Sequence, residues 1–233
     1  MNTSYWDHQI GDGSNYGIWA WGNNEKEYYT ANNDTVANGY LTMTAKKETM
    51  GGYSYTSTRI RTYQKISTTY GYIEARIQLP TVQGLWPAFW MLPESTYSGK
   101  GWPCSGEIDI MEAMGRVTGQ SSSALHYAYD GTGNNHTYQT NTHALDSIAN
   151  WHTYSCWWTQ DSIVFSVDGV KHLTVEESTW NKGYGTNDGA PFNANFHFIL
   201  NLAVGGQFDN NLEPPSDFAS ASMLVDYVRL YTK

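Results

Sequence analysis

The sequence predicts an all-β fold in which two antiparallel sheets pack together as a sandwich or jelly roll. Aromatic residues make up 15% of the 233 residues, charged residues only another 15%, and glycine occurs 22 times. A chain rich in aromatic residues and threonine favours strands, and glycine favours the turns between them. The strand-like segments are short and closely spaced, with no long helical pattern between them, which is typical of a sandwich.

Alternating hydrophobic and polar residues predict ten strands. They are Tyr40 to Ala45, Thr56 to Arg61, Gly71 to Leu79, Trp86 to Leu92, Glu107 to Glu112, Ser123 to Tyr129, His152 to Thr159, Ile163 to Val167, Phe196 to Val204 and Ser222 to Tyr231. Turn-forming residues such as Asp168-Gly169 separate them, and one helical turn is predicted at Ser178 to Trp180.

Charge and composition exclude several classes of partner. The 22 acidic and 13 basic residues give a net charge of -9, which disfavours binding to nucleic acid or to an anionic membrane surface. No apolar stretch reaches the roughly 20 residues of a membrane span, and the Met1 end has no signal-peptide pattern. With no repeat or linker in the sequence, we expect a soluble monomer with one domain over residues 1–233.

Cysteine and histidine give no sign of a disulfide framework or a zinc site. The two cysteines, Cys104 and Cys156, are compatible equally with a disulfide and with two buried thiols. Six histidines lack zinc-ligand spacing and are interpreted as structural. They are His8, His136, His143, His152, His172 and His197.

The strand around Trp86 predicts a surface for stacking sugar rings. Trp86 and Trp90 fall on one face of this strand, and Phe89 and Met91 on the other. If Phe89 and Met91 point into the core, both indoles lie on the outer face of the sheet. The alternative is a strand that is buried on both faces.

Three acids within six residues mark a candidate catalytic strand. Glu107 and Asp109 share a face by the two-residue period, but Glu112 would point into the core of a regular strand. Because buried charges without partners are rare, we predict a β-bulge at Ile110 or Met111 that returns Glu112 to the face of the other two acids.

With that bulge, the two glutamates are four strand positions apart, or roughly 13 Å between backbones at about 3.3 Å per residue. Side chains that lean toward each other would bring the carboxyl groups within about 5 to 6 Å, the separation of a retaining glycosidase. Asp109 between them would raise at least one pKa and orient Glu107. The pattern leaves open which glutamate is the nucleophile and which the acid/base.

With these motifs the sequence resembles the family 16 glycoside hydrolases, specifically the bacterial laminarinase branch. Five motifs occur in the family's order. They are Trp21-Gly22-Asn23-Asn24-Glu25 with Tyr28-Tyr29, Tyr70 to Arg76, Gly84 to Leu92, Gly106 to Glu112, and Asn201 to Gly206. The resemblance covers almost the whole chain. It implies a concanavalin A-like jelly roll with a glucan cleft across its concave sheet, and the extra residue Met111 matches laminarinases rather than the shorter strand of lichenases.

The resemblance also implies roles for individual residues. Glu107 would be the nucleophile and Glu112 the acid/base, while the residue pattern itself predicts Asp109 as their mediator. The sugar subsites would be lined by Asn23, Arg59, Trp86, Trp90, His126 and Asn201. Each of these has a structural alternative; Asn23 could be a turn residue, Arg59 an ion-pair partner and His126 a hydrogen-bonded neighbour of the catalytic strand.

No cofactor is expected for the chemistry, but the resemblance implies a structural calcium ion, with Asp226 and the backbone oxygen of Gly39 as ligands. The chain departs from the family in one respect, because the strand that usually precedes the position of Trp6 is absent. Its absence could remove a calcium ligand and leave a sheet edge unpaired.

We therefore expect a secreted, extracellular enzyme that hydrolyses β-1,3-glucan internally with retention, and that also accepts mixed β-1,3-1,4-glucan. The alternatives are a lectin-like carbohydrate-binding module, a transglycosylase and a galactan hydrolase of the same fold. A module that only binds sugar needs the tryptophans but has no need of paired glutamates.

Overall fold

The structure, a computed structural model, describes residues 1–129, 135–181 and 188–232. The strands in this part are β1 (Asp7–His8), β2 (Glu27–Tyr29), β3 (Asp34–Ala37), β4 (Tyr40–Lys46), β5 (Tyr55–Ser57), β6 (Arg59–Arg61), β7 (Ser67–Thr68), β8 (Gly71–Gln78), β9 (Leu85–Pro93), β10 (Glu107–Glu112), β11 (Gln120–Ala128), β12 (His136–Ala144), β13 (His152–Trp158), β14 (Ser162–Val167), β15 (Val170–Glu176), β16 (Phe196–Val204) and β17 (Ser220–Tyr231). Helix α1 spans Glu177–Trp180, and four 3-10 turns span Ser14–Tyr16, Trp19–Gly22, Glu94–Tyr97 and Gln207–Asp209.

The strands form two sheets, which confirms the predicted all-β jelly roll. The front sheet has the order β1-β6-β16-β9-β10-β11-β12, with β7 also paired to β16. The back sheet has the order β15-β14-β13-β8-β17-β4-β5-β2, with β3 also paired to β4. The described pairs are antiparallel except β2 with β5. Neighbours in space are often distant in sequence, as in a jelly roll.

The hydrophobic core lies between the two sheets and is built by alternation along the strands. On β8, Ile73, Ala75 and Ile77 are fully buried, and on β9 so are Phe89 and Met91. Because side chains alternate across a strand, their neighbours in sequence lie on the outer faces. The outer face of the front sheet is therefore free to carry a functional site.

Two-residue turns join β3 to β4 and β14 to β15. The second turn is Asp168-Gly169, with φ angles of 50° and 78°, and the first is Asn38-Gly39, with φ angles of 54° and 85°. Positive φ at both positions matches the right-handed twist of a hairpin, and Asp or Asn followed by Gly adopts it at little cost. The turn predicted at Asp168-Gly169 is confirmed.

The predicted strand from Thr56 to Arg61 is wrong in one respect, because it is two strands in different sheets. β5 belongs to the back sheet and β6 to the front sheet, and the chain crosses between them at the buried residue Thr58. The alternation of residues is the same on both sides of Thr58, so the sequence pattern does not reveal that the chain changes sheets there. The other nine predicted strands are present, with ends shifted by up to three residues.

Six of the described strands were not predicted from the sequence: β1, β2, β3, β7, β12 and β15. Cys104 and Cys156 are both buried thiols. No helix in the described ranges is long and apolar enough to cross a membrane.

Candidate active site

The acidic strand β10 contains the predicted bulge. Along β11, Asp109 pairs with Ala124 and Glu112 with Ser122, so three steps on β10 match two steps on its neighbour. The pairing of β10 with β9 is shifted in the same region, between Asp109 and Met111. One extra residue is therefore accommodated there, as predicted.

The bulge places the three acids on one face of the front sheet. β11 pairs without interruption with β12, so Ser122, Ala124 and His126 alternate regularly onto a single face. These residues are opposite Glu112, Asp109 and Glu107 respectively. Residues directly opposite each other in an antiparallel pair project to the same side, so the three acids do too.

The acids form a compact cluster with His126. One carboxylate oxygen from Glu107, one from Asp109 and one ring nitrogen of His126 lie within 4.8 Å of one another. Asp109 Oδ2 is 3.3 Å from His126 Nε2. Both Asp109 and Glu112 are buried, whereas Glu107 is partly exposed. Glu107 is thus the most accessible of the three carboxyl groups.

Burial raises the pKa of each of the three carboxyl groups, because the charged form loses its hydration. The pKa of Glu112 rises to about 8, first through burial and then through the nearby negative charge of Asp109. Burial also raises the pKa of Glu107, helped by Asp109, while the positive charges of His126 and Arg59 oppose the rise. Burial alone raises the pKa of Asp109 well above its usual range. Glu112 therefore holds a proton at neutral pH that an isolated carboxyl group would lose.

The indole of Trp86 orients the carboxyl group of Glu112. Trp86 Nε1 donates a hydrogen bond of 3.0 Å to Glu112 Oε1. The ring of Trp86 stacks on Phe208, with centroids 5.0 Å apart and an interplanar angle of 20°. Gly206 makes room for this pair, since a Cβ atom there would lie 3.0 Å from the indole. Both Trp86 and Trp90 are half-buried on the outer face, as predicted.

Arg59 and Asn201 lie behind Trp90 rather than in the open cleft. They are directly opposite each other in the register of β6 and β16, and are 2% and 4% exposed. Trp90 Nε1 donates to Asn201 Oδ1 at 2.7 Å, and the guanidinium group of Arg59 lies 4.7 Å from the centre of the Trp90 ring. The predicted residues are thus together, but these two support the indole from beneath.

Asn23 lies at the edge of the same region and donates a hydrogen bond of 3.1 Å to the buried Glu25. Asn23 follows the 3-10 turn Trp19–Gly22, in which Ala20 and Trp21 have positive φ angles. Asn23 therefore ends a tight turn, as the structural alternative predicted. Its amide group also contacts Glu25, one of the buried residues beneath Trp90.

An aromatic group beside His126 was not predicted from the sequence. The ring of His136 stacks on that of His126 with centroids 5.1 Å apart, and Trp102 lies 4.6 Å from His136. The pKa of His136 is lowered by burial and by His126. Trp102 and Tyr138 are 49% and 54% exposed. The alternation of His136 and Tyr138 along one strand was the signal available, but the polar strand β12 was itself missed.

The residues expected to bind calcium do not supply a calcium site by themselves. Gly39 and Asp226 line one cavity of about 430 Å³, which is mainly apolar. The carboxylate of Asp226 already accepts a hydrogen bond of 2.7 Å from Arg76. Calcium requires six to eight oxygen ligands, which these two residues do not provide. Within the described ranges, the cluster of possible metal ligands is the one formed by Glu107, Asp109 and His126.

The chain resembles known glycoside hydrolases over its whole length. It is 37% identical over 252 residues to a glucan endo-1,3-beta-glucosidase A1 from Niallia circulans, a match that covers 99% of this chain and 36% of that protein. It is 36% identical over 241 residues to a beta-glucanase from Rhodothermus marinus, covering 97% of this chain and 78% of that one. The chain therefore spans about a third of the first of these relatives.

The fold comparison agrees with the sequence comparison. The crystal structure of a laminarinase catalytic domain from Thermotoga maritima superimposes with a TM-score of 0.89 at 34% identity, covering 100% of this chain and 93% of that one. The model of the glycosyl hydrolases family 16 matches residues 21–205, which include the acidic strand and the residues around Trp90. The chain therefore belongs to glycosyl hydrolase family 16.

Proposed function

We propose that this protein is a retaining endo-hydrolase of β-1,3-glucan, with Glu107 as nucleophile and Glu112 as acid/base. The observation that carries the proposal is the bulge in β10, which brings Glu112 to the face of Glu107 and Asp109. A glycosidase requires two carboxyl groups that face the scissile bond, and we expect those of Glu107 and Glu112 to be separated by the roughly 5 to 5.5 Å of a retaining enzyme. The names of the relatives from Niallia and Thermotoga support β-1,3-glucan as the substrate.

In the first step, Glu112 donates its proton to the glycosidic oxygen while Glu107 attacks the anomeric carbon. The bond to the leaving sugar breaks, and a covalent glycosyl ester forms on Glu107. With a pKa of about 8, Glu112 is protonated at neutral pH and can act as this acid. Burial and Asp109 raise the pKa of Glu107, and the neighbouring His126 and Arg59 oppose that rise and so favour the ionised form that attack requires.

In the second step, the deprotonated Glu112 accepts a proton from water, and the resulting hydroxide oxygen attacks the same anomeric carbon. The ester breaks, Glu107 leaves as a carboxylate, and the configuration after two inversions is that of the substrate. Asp109, between the two glutamates, adjusts how protons are shared within the cluster. A sugar hydroxyl in place of water would give transglycosylation by the same path.

Several features support an open, sugar-binding face. The half-buried indoles of Trp86 and Trp90 and the exposed ring of Trp102 offer flat apolar surfaces to sugar rings. The proposed mechanism needs no residue from a second copy of the chain, so we expect the monomer to be active. Because a glucan polymer is too large to enter a cell intact, the proposed substrate favours an extracellular site of action.

The proposal is tested by the variant Glu107→Ser assayed on laminarin. We expect release of reducing ends to fall by roughly a thousandfold or more, because no nucleophile remains to form the ester. The matched control is Glu176→Ser, which changes an exposed glutamate on β15 of the back sheet and should leave activity unchanged.

Products from the wild-type protein decide between hydrolysis and the alternatives. Oligosaccharides of several lengths from laminarin indicate internal cleavage, and products longer than the substrate indicate transglycosylation. Binding of laminarin without products would leave only a carbohydrate-binding module. A panel that includes lichenan, agarose and carrageenan would detect mixed-linkage or galactan specificity, and near-normal activity of Glu107→Ser would overturn the assignment.

A further inference from the structure

A chain of buried polar groups runs inward from the indole of Trp90. Trp90 Nε1 donates to Asn201 Oδ1 at 2.7 Å, and Asn201 Nδ2 donates to the hydroxyl oxygen of Tyr29 at 3.2 Å. The hydroxyl of Tyr29 in turn donates to Glu25 Oε2 at 3.0 Å. Asn201, Tyr29 and Glu25 are 4%, 0% and 3% exposed, so water cannot replace these partners readily.

The chain has one direction, because every donor in it points toward Glu25. Its last member must therefore accept a hydrogen bond without needing to donate one. The other oxygen of Glu25 accepts from Asn23 Nδ2 at 3.1 Å, so both oxygens of this carboxylate are used as acceptors. An amide at this position would offer one acceptor in place of two.

Glu27 explains how a charged carboxylate is tolerated at this depth. Glu27 Oε2 accepts a hydrogen bond of 2.6 Å from the backbone N–H of Val204, and Glu27 Oε1 is buried with no donor in the described part of the chain. Burial and the nearby charge of Glu25 raise the pKa of Glu27 well above its usual range. A proton on Glu27 that is donated to Glu25 would satisfy both groups.

With one proton between them, Glu25 and Glu27 would carry one negative charge, which the positive charge of Arg59 would balance. The guanidinium group of Arg59 lies between two indoles, 4.5 Å from the ring of Trp21 and 4.7 Å from that of Trp90. Its positive charge opposes the effect of burial on Glu25, whose pKa is raised by its loss of hydration. Glu25 is therefore the member of the pair that is favoured in the ionised form.

We infer that Glu25 is a positioning residue for glucan binding, which fixes the plane of Trp90 through Tyr29 and Asn201 and fixes the amide of Asn23 directly. This inference rests on the proposed function, because it assumes that Trp90 and Asn23 contact the sugar. Glu25 itself is too deeply buried to touch a sugar. It acts by holding two surface groups in one orientation before the substrate arrives, which reduces the entropy lost on binding.

The test is the variant Tyr29→Phe, which removes the hydroxyl group that joins Asn201 to Glu25. We expect KM for laminarin to rise by about three- to tenfold with kcat within about twofold, because a sugar platform contributes equally to ground-state and transition-state binding. The matched control is Tyr154→Phe, since Tyr154 is also fully buried but its hydroxyl has no hydrogen-bond partner among the residues that the structure describes. Its kinetic constants should equal those of the wild type.

Binding measured without turnover separates this role from general damage to the fold. Calorimetry should show that Glu107→Ser/Tyr29→Phe binds a laminarin oligosaccharide more weakly than Glu107→Ser does. The far-ultraviolet circular dichroism spectra of the two variants should be the same. If Tyr29→Phe does not fold, Glu25→Gln takes its place with the same expected direction, because it keeps the shape and removes one acceptor. Unchanged KM and affinity in the folded variant would overturn the inference, whereas an inactive wild type would instead overturn the proposed function.

Discussion

At the scale of single residues, the behaviour of the site depends on protons shared among three buried carboxyl groups. The pKa of Glu112 is raised by burial and by Asp109, and is lowered by His126 and by the hydrogen bond from Trp86. Because these influences have opposite signs, single substitutions can move the pKa in either direction. As the proposed general acid, Glu112 must be protonated, so we expect activity to fall as the pH rises through about 8.

The alkaline limb of kcat/KM should therefore move in opposite directions in two variants. Asp109→Asn removes a negative charge, so we expect the limb to move to lower pH, by about one unit. Trp86→Phe removes a hydrogen bond to the ionised form of Glu112, so the limb should move to higher pH. The measurement is the pH profile of laminarin hydrolysis for both variants and the wild type. A limb that moves the same way in both would contradict the assignment of Glu112 as the acid.

The sequence was informative about residues that are neighbours along one strand, and less so about the others. The spacing of Glu107, Asp109 and Glu112 predicted a shared face correctly, because the bulge is the one local way to avoid burying a lone glutamate. The burial of Arg59 and Asn201 beneath Trp90 depends on two strands far away in sequence. No pattern within either strand could have indicated it.

At the scale of secondary-structure elements, the bulge in β10 is the feature that determines the site. Ile110 and Met111 are both buried, so the extra residue fits its side chain into the core. In the shorter strand of lichenases the acids would alternate without a bulge. The bulge thus compensates for one additional residue in the strand.

Deletion of Met111 should consequently leave Glu107, Asp109 and Glu112 on the same face of the sheet. In the shortened strand, Glu107, Asp109 and Glu112 would occupy alternate positions and therefore lie on one face. We expect activity clearly above that of Glu107→Ser, with unfolding stability lower by about 2 to 5 kcal/mol for the lost core side chain. Laminarin assays and chemical denaturation check the two parts. A folded deletion variant with no activity would show that the bulge does more than orient Glu112.

Elements with a hydrophobic face were predicted well, whereas polar edge strands were not. β12 reads His-Thr-Tyr-Gln-Thr-Asn-Thr-His-Ala, with exposed or half-buried side chains throughout, so it lacks the hydrophobic alternation that identifies a strand. Its existence depends on pairing with β11. The site residues His136 and Tyr138 were missed for that reason.

At the scale of the whole molecule, the buried carboxyl groups link stability to pH. A group whose pKa is higher in the folded state keeps a proton that the unfolded chain releases, so folding is weakened as the pH rises between the two pKa values. For Glu112 that interval runs from 4.5 to about 8. The lowered pKa values of His172, about 4, and His197, about 3, have the opposite effect below pH 6.5.

The variant Glu112→Gln isolates the contribution of one carboxyl group, since glutamine does not titrate. We expect its unfolding midpoint to rise relative to that of the wild type as the pH increases from 5 to 8, with most of the change complete by about pH 8. Thermal unfolding of both proteins across this range measures the difference. A constant difference at every pH would contradict the raised pKa.

The position of Met111 and Ile110 has a practical consequence for the whole protein. Glu112, the proposed proton donor on the outer face of β10, is held in place by these two hydrophobic side chains on the interior face of the same strand. Pressure, cosolvent or a substitution in the facing sheet that weakens the packing of Ile110 and Met111 would displace Glu112 from its position beside Glu107. Both sheets would remain folded. The rate of laminarin hydrolysis should therefore respond to weakened packing of the core around Ile110 and Met111 before any spectroscopic signal from the backbone changes.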